Sequence, residues 1–169
     1  MNAGTREGEI GQAVYSVSYL SRKGRLHTLP REKCGFRYRH SDFPAGAVLV
    51  EAILNLQPGD PAKIRSAIEA LKSKRVQTQP LNLPNLGSVF KNPSKRQHAG
   101  RLIEDAGLKS IRVGQARISE KHGNFIVNEG AAKAQEVLAL IGLIKDKVKE
   151  KCHVRLETEV RVVGQDLPC

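Results

Sequence analysis

Seven residues, Gly87-Ser88-Val89-Phe90-Lys91-Asn92-Pro93, restrict what this chain can fold into more than any other stretch. They follow Gln79-Pro80-Leu81-Asn82-Leu83-Pro84-Asn85-Leu86, whose two prolines oppose helix and favour extended or turn backbone. A period of two places Ser88, Phe90 and Asn92 on one face of a strand and Val89 and Lys91 on the other. Pro93 lacks an N–H and cannot extend a central ladder, so the strand is expected to stop there. The result is a short strand opening into a loop, with Ser88 near its start and Asn92 at its mouth. Spacing alone favours an edge strand with solvated polar ends.

Alternation at Ala13, Tyr15, Val17 and Tyr19 predicts a half-buried strand. Ser21 to Gly24 turns the chain, and Arg25 to Leu29 reads as the return strand of a hairpin, ended by Pro30. Arg31 to Phe36 is a helical turn or loop, and Ala47 to Leu56 another strand. Pro58-Gly59-Asp60-Pro61 is the sharpest boundary, since Asp60 suits an N-cap and Pro61 the first helical position. Ile64, Ala67, Ile68 and Leu71 then form one helical stripe up to about Arg75. Ala99 to Ala106 reads as a short helix capped by Gly107 in the left-handed conformation. Ile111 to Ile118 and Asn124 to Val127 read as strands. The longest helix is expected from Ala131 to about Lys151, with Ala134, Val137, Leu138, Ile141, Ile144 and Val148 facing inward. Val154 to Val163 is the expected closing strand, with Glu157 and Glu159 on its polar face. Without regular strand–helix–strand alternation, the fold class is α+β.

Lys and Arg number 28 against 17 Asp and Glu, a formal charge of +11. That balance suits a polyanionic partner: nucleic acid, an anionic membrane or a nucleotide diphosphate. The charge is spread along the chain, and three Tyr and four Phe form no base-stacking cluster, so no nucleic-acid partner is expected. The longest apolar run, Val137 to Ile144, is far shorter than the ~20 residues that span a bilayer, so no membrane partner is expected either. No apolar leader segment follows Met1. Cys34, Cys152 and Cys169 match no zinc spacing, and no metal is expected. Reduced thiols fit a cytoplasmic protein.

Several motifs in order carry a family resemblance. Asn82-Leu83-Pro84-Asn85-Leu86-Gly87-Ser88-Val89-Phe90-Lys91-Asn92-Pro93 resembles the signature of UDP-N-acetylenolpyruvoylglucosamine reductase, the flavoenzyme of peptidoglycan precursor synthesis. Ala99-Gly100-Arg101-Leu102-Ile103-Glu104-Asp105-Ala106-Gly107-Leu108-Lys109 is similar to the same family. So are Ser119 to Asn128, Leu156 to Gly164, Tyr38-Arg39-His40-Ser41 and the opening Asn2-Ala3-Gly4. The resemblance implies NADPH reducing FAD, and the flavin delivering hydride to the enolpyruvyl double bond of a UDP-sugar. It also implies a part in cell-wall biogenesis, cell shape and division.

By that resemblance, Arg39 grips the substrate carboxylate through its fork of donors. Ser88 protonates the carbanion left by reduction, and Glu159 helps order that transfer. Gly87-Ser88-Val89-Phe90 is not a Gly-x-Ser-x-Gly elbow, so a serine nucleophile is not expected. Asn92, Lys109 and His122 match substrate contacts, with Lys109 placed for the diphosphate. Asn2, Ala3 and Gly4 match the cofactor side. Each of these residue types is also ordinary surface when taken singly.

Family members carry glycine-rich turns for the FAD pyrophosphate in a lobe before the Asn-Ala-Gly motif, and none follows it here. The family continues that motif with Ala-Tyr-Gly, whereas Thr5-Arg6-Glu7 stands here. The expected organisation is the end of a flavin-binding domain over residues 1–58 and a substrate-binding domain over 59–169. The missing N-terminal flavin lobe would be a partner. Two readings stay open: a reductase chain lacking most of its flavin site, and a non-catalytic UDP-sugar-binding or regulatory remnant.

Overall fold

The computed structural model describes residues 1–5 and 7–164. Cys169 lies outside them. The chain forms two compact units, the first Met1–Asp60 and the second from Pro61 onward. The fold is α+β, with two separate three-stranded antiparallel sheets.

In the first unit, β1 (Val14–Leu20) lies between β2 (Leu26–Pro30) and β3 (Val48–Leu54). The β1–β2 hairpin pairs Leu20 with Leu26 and Ser16 with Pro30. Half-burial was expected of β1, but Val14, Ser16, Val17, Ser18 and Tyr19 are all buried and Tyr15 points out. A strand flanked by neighbours on both sides buries more than alternation alone suggests, and its serines find partners. Ser18 Oγ lies 3.0 Å from Thr28 Oγ1, for example. Val14, Val17 and Cys34 form a small core with Leu29, Phe36 and Phe43 against it. All seven residues of β3 are exposed. A single 3₁₀ turn, Arg31–Lys33, occupies the stretch expected to be a helical turn or loop.

In the second unit, α1 (Pro61–Thr78) begins at the proline, as expected, and buries none of its residues. Its stripe of Ile64, Ile68 and Leu71 is exposed. α2 (Ala99–Asp105) ends before Gly107, whose φ of 74° is the left-handed stop expected of it. The stretch 111–118 is not one strand. It is a hairpin of β4 (Arg112–Val113) and β5 (Ala116–Ile118), turned at Gly114. β6 (Ile126–Asn128) completes the sheet.

α3 (Ala134–Cys152) starts three residues later than its periodicity suggested. It buries Leu140, Ile141, Ile144 and Val148, an i, i+4, i+8 stripe widened by Ile141. Ala134 and Leu138, expected inside, are exposed on the first turns, whereas Val137 packs against the core. The main core joins that stripe to Ile103 of α2, Ile118 and Ile126 of the sheet, and Val89, Phe90 and Leu156. The closing strand expected over 154–163 is absent: only a bridge pairs Phe90 with Thr158. Lys91 N–H donates to Glu157 O at 2.9 Å and Glu159 N–H to Val89 O at 2.8 Å. Pro93 keeps that pairing short.

Candidate functional site

The central stretch is fixed from two sides. Segment 157–160 holds it on one, with Val160 N–H also reaching Val89 O at 3.4 Å. On the other side sits Asn124, itself buried. Its Nδ2 donates to Phe90 O at 2.8 Å and its Oδ1 accepts from Phe90 N–H at 2.9 Å. Val89 N–H donates to the Asn124 carbonyl at 2.9 Å. Val89 and Phe90 are therefore both buried, each at 1% exposure, in place of the expected alternation. Ser88, the residue before them, is exposed, and the backbone bond from Glu159 to Val89 brings Ser88 and Glu159 to one locality. Lys91 and Glu157 form an ion pair beside them.

Asn92, Lys109 and His122 gather around α2. Asn92 Oδ1 accepts the N–H of Ala99, the first residue of that helix, at 3.0 Å. His122 lies against Gly100, where an added Cβ would come within 2.8 Å of the imidazole Cε1. Only glycine leaves room for the ring. Lys109 pairs with Glu104 on the same helix at 3.2 Å, and Glu104 Oε1 also accepts Gly123 N–H at 3.3 Å.

His122 Nδ1 accepts the N–H of Asn124 at 3.1 Å, which assigns the proton of the neutral ring to Nε2. Burial holds the imidazole below its ordinary pKa; Glu104 opposes this and Lys109 adds to it. At neutral pH the ring is an uncharged donor through Nε2, suited to a carbonyl or phosphoryl oxygen. Asn124 and Glu104 were not singled out in the sequence, though one signal was available. An asparagine heading the apolar run Phe125-Ile126-Val127 occupies a core position, where its amide must be satisfied.

In the first unit, Arg39 has a φ of 52°, in the left-handed region. Its guanidinium lies 5.1 Å from the centroid of the Tyr38 ring and donates to Gly4 O at 3.2 Å. The Arg37–His40 turn that carries it closes through Arg37 N–H to His40 O and His40 N–H to Arg37 O, at 3.2 and 3.0 Å. Asp42 braces this turn through His40 Nε2 at 2.6 Å and Arg37 at 2.8 Å. Those hydrogen bonds, His40 first, hold the Asp42 carboxyl below its usual range.

Asn2 is buried, and its side chain is engaged by the chain itself. Nδ2 donates to Glu9 Oε2 at 2.6 Å and to Arg37 O at 3.0 Å, while Oδ1 accepts Gly11 N–H at 2.8 Å. Ala3 O accepts Ile10 N–H at 2.9 Å, and a Cβ on Gly4 would meet Glu9 Cγ at 2.7 Å. The polar atoms of the Asn2 side chain and the approach to Gly4 are thus taken up by the chain's own groups, so the opening motif by itself does not offer them to FAD. Among the described residues no group of His, Cys, Asp or Glu could hold a metal ion. No described helix is long and apolar enough to cross a membrane.

Residues 79–163 match the family profile described as UDP-N-acetylenolpyruvoylglucosamine reductase, C-terminal domain. The chain is 43% identical over 167 residues to the UDP-N-acetylenolpyruvoylglucosamine reductase of Clostridium tetani, covering 98% of this chain and 54% of that protein. It is 44% identical over 165 residues to the enzyme of that name from Alkalilimnicola ehrlichii, covering 98% and 55%. The crystal structure of UDP-N-acetylenolpyruvylglucosamine reductase (MurB) from Thermus caldophilus superposes with a TM-score of 0.82 at 38% identity, over 95% of this chain and 57% of that one. The chain thus spans about half the length of the relatives it matches. A match over residues 79–163, on a fold shared with a solved reductase, places this chain in the UDP-N-acetylenolpyruvoylglucosamine reductase family.

Proposed function

We propose that the chain supplies the substrate side of a UDP-N-acetylenolpyruvoylglucosamine reductase, binding the UDP-sugar and delivering the proton that completes reduction of its enolpyruvyl group. The observation that supports this is the pairing of Phe90 with Thr158, which makes the backbones at Ser88 and Glu159 near neighbours. Reduction of the enolpyruvyl double bond leaves negative charge on the carbon next to the carboxylate. Ser88 Oγ–H donates a proton there, and Glu159 orders that hydroxyl. Arg39 grips the carboxylate and spreads its charge. Lys109 supplies a point charge for the diphosphate, and Asn92 and neutral His122 donate to sugar-nucleotide oxygens.

NADPH and FAD are the hydride carriers that the resemblance implies. With Asn2 and Gly4 packed on the chain's own atoms, this chain's proposed part is the substrate side alone. The same packing supports a second reading, a UDP-sugar-binding module without its own redox centre. The domain assignment follows: residues 1–58 belong with a flavin-binding domain, and residues 59–169 form the substrate-binding domain. Residence in the cytoplasm fits a nucleotide-sugar substrate.

Calorimetric titration of the chain with enolpyruvyl-UDP-N-acetylglucosamine tests the proposal. Saturable binding that weakens about tenfold in Lys109→Ala supports it, since one charged contact is worth ~1.5–3 kcal/mol. No binding by the native chain sinks it. A visible flavin absorbance in the purified chain would overturn the restriction to the substrate side.

A further inference from the structure

The geometry points to Asn124 as the positioning residue of the candidate site, locking the backbone that carries Ser88 to the loop that carries His122. This rests on the substrate-side reading above. Three hydrogen bonds leave Asn124 for two consecutive residues: its side chain takes both the N–H and the C=O of Phe90, and its carbonyl takes the N–H of Val89. A fourth, from its own N–H, holds His122 Nδ1 at 3.1 Å. Asn124 is 4% exposed, so no solvent molecule can replace these partners cheaply.

The planar amide presents one donor and one acceptor side by side, and so mimics one rung of a sheet ladder. That rung extends the backbone bond from Val89 N–H to the Asn124 carbonyl, on the side of the segment away from its pairing with 157–160. Ser88 is two residues from Phe90 and His122 two residues from Asn124, the two ends of this rung. Two of the three bonds that set the spacing of the two polar groups therefore run through one side chain. Glutamine is one methylene too long, and aspartate offers two acceptors where the Phe90 carbonyl needs a donor.

Aspartate also makes the test reversible. A buried carboxyl facing a carbonyl oxygen titrates high, so Asn124→Asp is protonated near about pH 5 and then offers O–H and C=O as the amide does. Near about pH 8 it is charged and loses the bond to Phe90 O. His122, Glu104 and Lys109 titrate or carry charge nearby, so the native chain measured at each pH is the reference.

The experiment combines amide hydrogen exchange at Phe90 with calorimetric binding of UDP-N-acetylglucosamine, at both pH values, on the full chain. Asn124→Ala removes the acceptor of Phe90 N–H and is expected to lose roughly tenfold in protection at that amide. Asn124→Asp near about pH 8 keeps that acceptor but loses the donor to Phe90 O, and is expected to lose roughly tenfold in probe affinity. Near pH ~5 the affinity of Asn124→Asp returns to within about threefold of native, whereas Asn124→Ala stays impaired at both pH values. Asn128→Ala is the control for destabilisation alone. It removes an acceptor serving Gly130 and Ala132 N–H at 2.9 and 3.0 Å, and should leave probe affinity of the folded chain unchanged.

Native affinity in folded Asn124→Ala, or an Asn124→Asp variant indifferent to pH, overturns the proposal. If the native chain itself does not take up the probe, the substrate-side reading falls. Exchange then decides alone: retained protection of the Phe90 amide in Asn124→Ala overturns the positioning role and lost protection upholds it.

Discussion

Replacing Gly100 by alanine sets two physical effects against each other. Gly100 is the second residue of α2, and alanine there gains up to about 1 kcal/mol of helix propensity. The new Cβ, however, would stand 2.8 Å from His122 Cε1 and 3.2 Å from its Nδ1. Ordinary contact begins beyond 3.4 Å, so the ring edge must withdraw by about 0.6 Å. It cannot do so freely, because Nδ1 is tied to Asn124 N–H at 3.1 Å and the ring packs edge-on against Phe125 at 4.9 Å between centroids.

Stretching that hydrogen bond costs about 1 kcal/mol, which cancels the propensity gain. Gly100→Ala should therefore unfold in urea within about 1 kcal/mol of the native chain while binding UDP-N-acetylglucosamine more weakly. The imidazole resonances of His122 should shift in a nitrogen-correlated NMR spectrum. Stabilisation by the whole propensity gain, with His122 resonances unmoved, would refute the packing argument.

Three further outcomes follow from the structure. Because burial lowers the His122 pKa, the unfolded chain binds more protons than the folded one as pH drops. Stability should be fully present above the unfolded value of about 6.5 and fall below it, and His122→Gln should flatten that part of a urea-denaturation pH series. Phe90→Ala, at a side chain 1% exposed in the main core, should cost about 3–5 kcal/mol in a denaturant titration. Cys34 is buried, and burial followed by the nearby Glu32 charge raises its thiol pKa. A pulse of iodoacetamide followed by peptide mapping should leave it unlabelled until denaturant is added.

Helix ends were legible where single residues force them: Pro61 opened α1 and the φ of Gly107 follows the end of α2 as its chemistry requires. The spacing of Val137, Ile141, Ile144 and Val148 gave α3, but not the burial of Leu140 or the exposure of Ala134 and Leu138. The strands were less legible. A periodicity of two at 154–163 says that a segment is extended, not that a partner runs beside it, and Thr158 alone found one. Gly114 inside 111–118 was the missed turn signal.

At the site, Ser88, Asn92, Lys109, His122 and Glu159 were all named from local motifs, because each lies within one. What holds them together was not local. Asn124 and Phe90 are 34 residues apart, and no pattern in either segment announces the other. Likewise the engagement of Asn2 with the Arg37 carbonyl spans 35 residues, so a motif read as a cofactor contact also serves as a brace for the turn bearing Arg39.

The outer strand of the first sheet carries a practical consequence. Val48-Leu49-Val50-Glu51-Ala52-Ile53-Leu54 is exposed throughout, holds one charge, and contains neither proline nor lysine to interrupt it. Six apolar residues, three of them β-branched, around a single glutamate make an edge on which another extended chain can hydrogen-bond, the geometry from which cross-β stacking grows. Concentrated solutions of this chain should therefore develop thioflavin-positive fibrils seeded at this strand. Placing a gatekeeper such as Val50→Lys on the outer strand should suppress them without touching the polar residues around α2.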